Sequence, residues 1–401
     1  EVLMYKLNPN QVTHADLIVG IPSYNEADNI GFVVKQVDAG LKNYFPDFLS
    51  VIINVDNNSP DDTKSAFMNT STDTPKIYIS TPPGTKGKGN NFFNLFNEMI
   101  NLDARACVVV DADLTSITPE WIRELGSPIL NGYDYATPFY SRNEYDGTIT
   151  NNICYPLIYG LLGYDLRQPI GGDFAFSINL AKYYLKQTWT KTTRQYGIDI
   201  FMTLNAVLGN FECCQVGLGA KIHKPSAPKL GPMFSQVVGT LFQSLILNKE
   251  KWLAPIEVKN LPLFGAEILA KPQSLSVDYK GMKSTALYEF KINQSILENA
   301  LRPSIYNRIK SMYASGKLNI GTQLWTEIVY DLLYAYSTTD LNSHLIEAMK
   351  ALYFGRVVTF IKQTLEKDHH ESEQMIQNQA KFFFKYRSRL TRRYEYKKAV
   401  A

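Results

Sequence analysis

The chain has 401 residues, a formal charge of +3, 45% hydrophobic residues and 20% charged ones, which describes a globular protein with core enough for one large or two ordinary domains. That balance excludes a nucleic-acid binder acting through a global basic field, so any polyanionic partner has to be met locally. The four cysteines, Cys107, Cys154, Cys213 and Cys214, lack metal-type spacing and two are adjacent, which excludes a zinc ribbon and a disulfide framework and fits a reducing cytoplasm.

Leu17-Ile18-Val19-Gly20-Ile21 predicts a first strand, stopped by Pro22. Ile30, Val33, Val34, Val37 and Leu41 recur at the spacing of one helix face, with Asn25 or Asp28 available as the N-cap. Val51 to Val55 gives a second strand ending at Asp56, and Lys76 to Ile79 a third. Gly84-Thr85-Lys86-Gly87-Lys88-Gly89-Asn90-Asn91 then leads into a helix. Its glycines let backbone approach a phosphate, and the helix N-terminus favours an anion. The Walker A spacing is not met, because no Ser or Thr follows a Gly-Lys pair at the right place, and this argues against a kinase or ATPase.

Val108-Val109-Val110 next delivers Asp111 and Asp113 to a strand end, a site for a hard divalent cation able to bind a diphosphate. Short Val/Ile runs alternating with segments of helical period imply a parallel sheet with crossover helices. In such sheets ligands sit beyond the carboxyl ends of the strands, so Pro22 to Glu26, Asp56 to Asp62 and Asp111 to Asp113 should share one crevice. Further along, Gln168-Pro169-Ile170-Gly171-Gly172-Asp173 is a tight turn by composition, and Asp199 precedes an apolar helix from Phe201 to Leu208. His223 follows a strand-like segment and suits a borderline divalent cation.

The Pro-rich passage Lys224 to Lys229 is the expected hinge, giving an α/β domain over 1–229 and a helical domain over 230–401. In the latter, Leu324, Trp325, Ile328, Val329, Leu332 and Leu333 fit one helix face. Leu345, Ile346, Met349, Leu352, Tyr353, Val357 and Ile361 fit another, capped by Thr339 or Asp340. No run approaches the ~18 to 20 uninterrupted apolar residues of a membrane span, and the first residues do not form a signal peptide. The basic, aromatic-rich run Lys381 to Lys398 is assigned to a solvated helix or an oligomer contact rather than to a membrane surface. His369-His370, among acidic neighbours, is assigned to an exposed polar face.

Taken in order, Ile21-Pro22-Ser23-Tyr24-Asn25-Glu26, Val55-Asp56-Asn57-Asn58-Ser59, Gly87-Lys88-Gly89, Asp111-Ala112-Asp113-Leu114, Phe139-Tyr140-Ser141-Arg142, Gln168-Pro169-Ile170-Gly171-Gly172, Tyr196-Gly197-Ile198-Asp199 and Lys221-Ile222-His223 resemble the motif order of the retaining glycosyltransferases of the GT-A fold. The likeness is strongest to the glucosyl-3-phosphoglycerate and mannosylglycerate synthases, and it covers about residues 16 to 230. It implies a Rossmann-like nucleotide-sugar-binding α/β domain with a mostly parallel sheet, followed by an α-helical C-terminal domain. It implies that Pro22, Ser23, Tyr24, Glu26, Asp56, Lys88, Asp111 and Ala112 surround the nucleotide sugar. Asp113 and His223 would ligate Mg²⁺ or Mn²⁺, Asp113 and Asp199 would serve the reaction, and Gly171, Gly172 and Arg142 would meet the acceptor.

The implied reaction moves glucose or mannose from a nucleoside-diphosphate sugar to glycerate, 3-phosphoglycerate or another small acid. Retention through a covalent intermediate needs a carboxylate nucleophile, for which Asp199 is the residue to test; the resemblance favours front-face transfer instead. Paired arginines of the phosphoglycerate users are replaced here by Ser141-Arg142, and a basic-then-Asn step by Lys224-Pro225, which favours an acceptor needing fewer cations. Rival readings are a sugar nucleotidyltransferase, a GT-A enzyme with a lipid or glycan acceptor, and a binding module with a degenerate pocket. A cytoplasmic homodimer or higher oligomer is expected, with no nucleic-acid partner.

Overall fold

The structure, a computed structural model, describes residues 5–224, 230–265, 272, 275 and 277–400, the last five as backbone only. Most of the expected hinge, from Pro225 to Lys229, lies outside the described residues. Chain contacts form two units. Unit 1 comprises Glu1–Arg142, Gln168–Pro228 and Leu261–Gln273, and unit 2 comprises Asn143–Arg167, Lys229–Asn260 and Ser274–Ala401. The α/β and helical halves read from composition are thus interleaved rather than cut once near residue 229.

Unit 1 is built on a nine-stranded sheet of β1 (Tyr5–Leu7), β2 (Leu17–Ser23), β3 (Ser50–Asp56), β4 (Lys76–Ser80), β5 (Ala106–Val109), β6 (Tyr135–Ser141), β8 (Phe174–Ser177), β9 (Cys213–Ala220) and β11 (Leu263–Phe264); β7 (Tyr164–Asp165) and β10 (Lys259–Asn260) pair in unit 2. The order across the sheet is β1-β4-β3-β2-β5-β8-β6-β9-β11. Strands β4, β3, β2 and β5 are mutually parallel, β8 runs antiparallel to both β5 and β6, and β6 is parallel to β9. The carboxyl ends of β2, β3, β5, β6 and β9 therefore share one edge with the amino end of β8. Strand order reverses between β2 and β5, the place where such sheets open a crevice.

Pro22 does not stop β2, which runs to Ser23 in register with β3. The pairing with β5 ends at Gly20, whose carbonyl accepts the Val110 N–H, so the N–H that Pro22 lacks would have faced an edge already unpaired. Helices α1 (Ile30–Tyr44), α2 (Thr63–Asn69), α3 (Lys88–Asn101), α4 (Pro119–Leu130), α6 (Ile178–Leu185) and α7 (Ile198–Leu208) complete the unit. On α1 the five residues expected on one face are all buried, each worth about 1.5–3 kcal/mol of transfer free energy. The cap is Asn29 rather than Asn25 or Asp28, and its side chain makes no capping bond. Burial of the apolar face, not the cap, holds this helix. Helix α3 crosses β2 at Gly20, where a Cβ would come within 2.4 Å of Leu95.

Unit 2 contains α5 (Tyr155–Leu157), flanked by π-helical turns at Thr150–Cys154 and Ile158–Leu162, and α8 (Leu230–Leu247), α9 (Lys249–Leu253), α10 (Tyr279–Ala300), α11 (Pro303–Ser315), α12 (Thr322–Thr338), α13 (Asn342–Thr364) and α14 (His369–Val400). Every residue expected on the apolar faces of α12 and α13 is buried. The N-cap of α13 is Leu341, not Thr339 or Asp340. Its Arg356 is buried with no carboxylate among its bonding partners. It donates instead to the Asn152 side chain and the Ile320 carbonyl, and burial pushes it down to about 10.

The basic run at the end of the chain is only partly a solvated face. Arg389 pairs with Glu327 at 2.6 Å, and Arg393 and Arg302 both reach Asp331, at 2.7 and 2.9 Å. Arg167 grips Glu373 by a two-point fork at 2.7 and 2.8 Å. His369 and His370 are exposed, as expected. Among the described residues α8 is the one helix long and apolar enough to cross a membrane by length and composition, and its Phe234, Val237, Val238, Leu241, Phe242 and Leu245 are buried within the unit.

Candidate functional site

All the site residues discussed here lie in unit 1, at the carboxyl edge of its sheet. The turns after β2 and β3 each need a left-handed residue and use Asn for it, Asn25 at φ 59° and Asn58 at φ 54°. The two loops are laced together: Asn25 N–H donates to Ser59 Oγ, Glu26 N–H to Thr63 Oγ1 and Ala27 N–H to Asp61 Oδ2. Buried Asp56 organises the second loop. Its carboxylate accepts from Ser23 Oγ at 2.7 Å, Ser59 Oγ at 2.6 Å, Ser59 N–H at 2.7 Å and the Tyr78 hydroxyl at 2.9 Å. Ser23 and Asp56, both expected at the nucleotide, thus spend these groups on one another and on the loop. Tyr24 is exposed, and its hydroxyl accepts from Lys86 Nζ at 2.9 Å.

The charged centre comes from four strand ends. Asp111 follows β5, Asp173 precedes β8, Lys221 follows β9, and Tyr140 sits on β6 at a register shift between Phe139 and Tyr140 that re-aims its side chain. Asp111 accepts Lys88 Nζ on Oδ1 at 3.0 Å and Lys221 Nζ on Oδ2 at 2.9 Å, while its N–H donates to Asp173 Oδ1 at 2.8 Å. Lys221 also donates to Asp173 Oδ2 at 2.7 Å and to the Gly171 carbonyl at 2.8 Å. The Tyr140 hydroxyl donates to Asp173 Oδ2. Lys88 lies 3.4 Å from Asp199 Oδ1, an oxygen that is buried and makes no hydrogen bond.

These contacts set the charge states. Burial alone would neutralise Asp111, yet Lys221 and Lys88 hold its carboxyl well below the usual range. Burial likewise opposes the charge on Lys88 and Lys221, but the aspartates around them keep both above the usual lysine value. Asp113 is raised, first by burial and then by the charge of Asp111; Lys221 and His223 act against this. Asp199 is raised by burial despite Lys88. Glu26 is raised by burial as well, although Lys224 Nζ donates to it at 2.7 Å and to Asp28 at 3.0 Å.

The segments carrying Asp113 and His223, far apart in sequence, run side by side: Thr115 N–H donates to the Ile222 carbonyl at 3.0 Å and Ile222 N–H to Ser116 Oγ at 2.9 Å. His223 Nδ1 lies 2.7 Å from the Lys224 carbonyl oxygen. Among the described residues no three His, Cys, Asp or Glu side chains are grouped to hold a metal by themselves. Pro22 and Ala112 are buried in the strand ends, and Arg142 stacks 5.9 Å from the Tyr140 ring centroid, its charge felt by Lys221. Asp199 lies in the first turn of α7, with Gly197 rather than Asp199 as the cap.

The glycines of the site also make room for close packing within the chain. A Cβ on Gly87, at φ 127°, would lie 2.3 Å from the Arg194 carbonyl oxygen, and one on Gly89 would lie 2.0 Å from that of Thr193. The Gly89 N–H donates to the Gln195 carbonyl. On the side where a Cβ would stand, both glycines pack against the chain's own backbone. Gly171 packs on Pro138, and Gly172, at φ 90°, has Asp111 Oδ2 2.2 Å from its missing Cβ. Gly172→Ala should therefore cost about 1–3 kcal/mol through its backbone conformation and displace the Asp111 carboxylate. Thermal melting checks the first effect, and a fall in turnover larger than the stability loss explains checks the second. An alanine variant with normal turnover would remove the argument.

Acidity adds a second expectation. Asp113, Asp199 and Glu26 are raised, so between the ordinary carboxylate range and their folded values the native chain holds protons that the unfolded chain has released. Their contribution to stability therefore falls as pH rises through that window. Asp111 has the opposite sign: its contribution is present above the ordinary value and lost as pH falls through its depressed one. As pH rises above the ordinary carboxylate range, the melting temperature should drop more steeply in the native chain than in Asp113→Asn. Equal slopes would contradict this.

Residues 18–186 match the family described as glycosyl transferase family 2. Among solved structures the chain is similar to glucosyl-3-phosphoglycerate synthase from Mycobacterium tuberculosis in complex with Mn²⁺, UDP and phosphoglyceric acid, at 24% identity over 57% of this chain and 78% of that one, with a TM-score of 0.48. The same enzyme with Mn²⁺, UDP-glucose and phosphoglyceric acid gives 23% identity over 57% and 79%, with a TM-score of 0.47. A mycobacterial protein gives 26% over 57% and 74%, with a TM-score of 0.45. No curated protein matches the chain. Lys221, Asp173 and Tyr140 were given no role by the motif order, although each lies within or beside a motif segment. Residues 18–186 are thus similar to glycosyl transferase family 2, and Asp56, Lys88, Asp111, Asp113 and Asp173 all lie within the matched stretch.

Proposed function

We propose that the chain is a divalent-metal-dependent retaining hexosyltransferase that moves glucose or mannose from a nucleoside-diphosphate sugar to a small acid such as glycerate or 3-phosphoglycerate. The observation that carries this reading is the buried oxygen of Asp199, which has no hydrogen bond and lies beside Lys88. A buried carboxylate oxygen met by one ammonium at 3.4 Å is left under-satisfied, and a sugar hydroxyl is the donor that a glycosyltransferase brings. Lys88 and Asp199 would hold the transferred sugar, and Glu26, Tyr24 and the laced loops the nucleotide.

The residues present fit a metal. Asp113 and His223 offer one oxygen and one nitrogen on adjacent segments, and too few protein ligands to close the shell, which leaves positions for diphosphate oxygens and water. A contact between Nδ1 and a backbone carbonyl is the usual way to orient a ligating His. When bound, the cation would neutralise the departing diphosphate. The solved synthases to which the chain is similar contain Mn²⁺ or Mg²⁺ with UDP, and UDP-glucose or phosphoglyceric acid. Arg142, over the Tyr140 ring, is the cation assigned to an acceptor carboxylate, and a single arginine in place of a pair favours glycerate over its phosphorylated form.

The test is a matrix of UDP- and GDP-linked glucose and mannose against glycerate and 3-phosphoglycerate with Mg²⁺ or Mn²⁺, read by released nucleoside diphosphate and by the anomeric coupling of the product. Release of pyrophosphate would support a nucleotidyltransferase instead. No release with any pair would sink the acceptor assignment.

A further inference from the structure

We propose that Lys221 and Asp173 are positioning residues that hold Asp111, and through it Lys88, in the arrangement the sugar donor meets; this rests on the glycosyltransferase reading above. Lys221 is 7% exposed and spends all three ammonium donors inside the protein, on Asp111 Oδ2, Asp173 Oδ2 and the Gly171 carbonyl. It has no N–H left to offer a substrate. Asp173 is wholly buried and divides its oxygens between the Asp111 N–H on one side and Lys221 and the Tyr140 hydroxyl on the other.

Asp111 is therefore gripped at its backbone by Asp173 and at Oδ2 by Lys221. Its Oδ1 takes Lys88, and Lys88 in turn faces Asp199. Charge alternates along this chain of contacts, so a shift at Lys221 is passed to Lys88. Four strand ends meet in it, and the side chain that Gly172 lacks leaves the space in which Asp111 Oδ2 and Lys221 Nζ meet. Buried ion networks give little net stability for their desolvation cost. What this one supplies is a fixed carboxylate at the carboxyl edge of the sheet, as preorganised electrostatic stabilisation requires.

The experiment is steady-state kinetics on Lys221→Met, Lys221→Arg and Tyr140→Phe, with the donor and acceptor that the native enzyme uses. Lys221→Met should lower kcat about 100-fold or more while donor KM changes less than about threefold. Lys221→Arg, able to reach both aspartates, should recover to within about tenfold of native. Tyr140→Phe removes only one bond to Asp173 and should lower kcat about 3- to 10-fold at unchanged melting temperature.

Native kcat in Lys221→Met, an Arg variant no better than Met, or a loss confined to KM would each overturn the proposal. If Lys221→Met fails to fold, an unchanged kcat in Tyr140→Phe overturns it just as well. A native chain that releases no nucleoside diphosphate removes the functional reading and this inference with it, whereas an active native chain indifferent to position 221 removes the inference alone.

Discussion

Asp113→Asn should lower kcat/KM at least about 10³-fold, equivalent to about 4 kcal/mol of transition-state stabilisation, while leaving the fold intact or slightly more stable. The two halves of that expectation have separate causes. In the native chain burial and the neighbouring charge of Asp111 already work against ionisation of Asp113, so a neutral side chain of the same size relieves rather than creates strain. For catalysis the charge is what matters. His223 alone makes a poor site for a hard cation, which prefers anionic oxygen. Calorimetric titration with Mn²⁺, a melting curve and a kinetic assay read the parts independently. A variant that binds Mn²⁺ as the native chain does, or turns over at the native rate, would show that the metal sits elsewhere.

Asp199→Asn should lower kcat by about 10²- to 10³-fold and raise the melting temperature. Its carboxylate is buried, is raised in pKa by that burial and has one oxygen without a hydrogen bond, so the folded chain carries it at a cost. An amide keeps the shape and sheds the cost. It also removes the counter-charge that Lys88 shares between Asp111 and Asp199, leaving the lysine drawn to Asp111 alone. Activity lost with stability gained is the signature of a group kept for function. Stability lost together with activity would make Asp199 a structural partner of Lys88 and nothing more.

How much of this was legible beforehand depended on whether a residue's role is local. The Val/Ile runs gave the strands to within a few residues because a strand buried on both faces must be apolar throughout. The stripes of α1, α12 and α13 were equally plain. Pro22 misled because its tolerance depends on where a neighbouring strand stops, which is a property of the sheet. Gly87 and Gly89 also make way for residues 193 to 195, which composition could not show: it says that space is needed but not what fills it. The segments carrying Asp113 and His223 could be proposed as neighbours only through motif order, and the hydrogen bonds from Thr115 and to Ser116 supply the physical reason they meet. Lys221, Asp173 and Tyr140 lie within or beside motif segments, but the order of those segments gives them no common role. Their meeting follows from β8 entering the sheet in reverse and from the register shift in β6.

The seam between residues 87–89 and 193–195 constrains how this protein can change. Lys88 and Asp199 stand on segments over a hundred positions apart, but at Gly87 and Gly89 main chain lies against main chain, which leaves little slack to absorb a shift. A substitution on either side of that seam moves both partners of the pair. Drift toward a new sugar would have to alter the two stretches in concert, and a library that randomises only one of them would search mostly broken active sites.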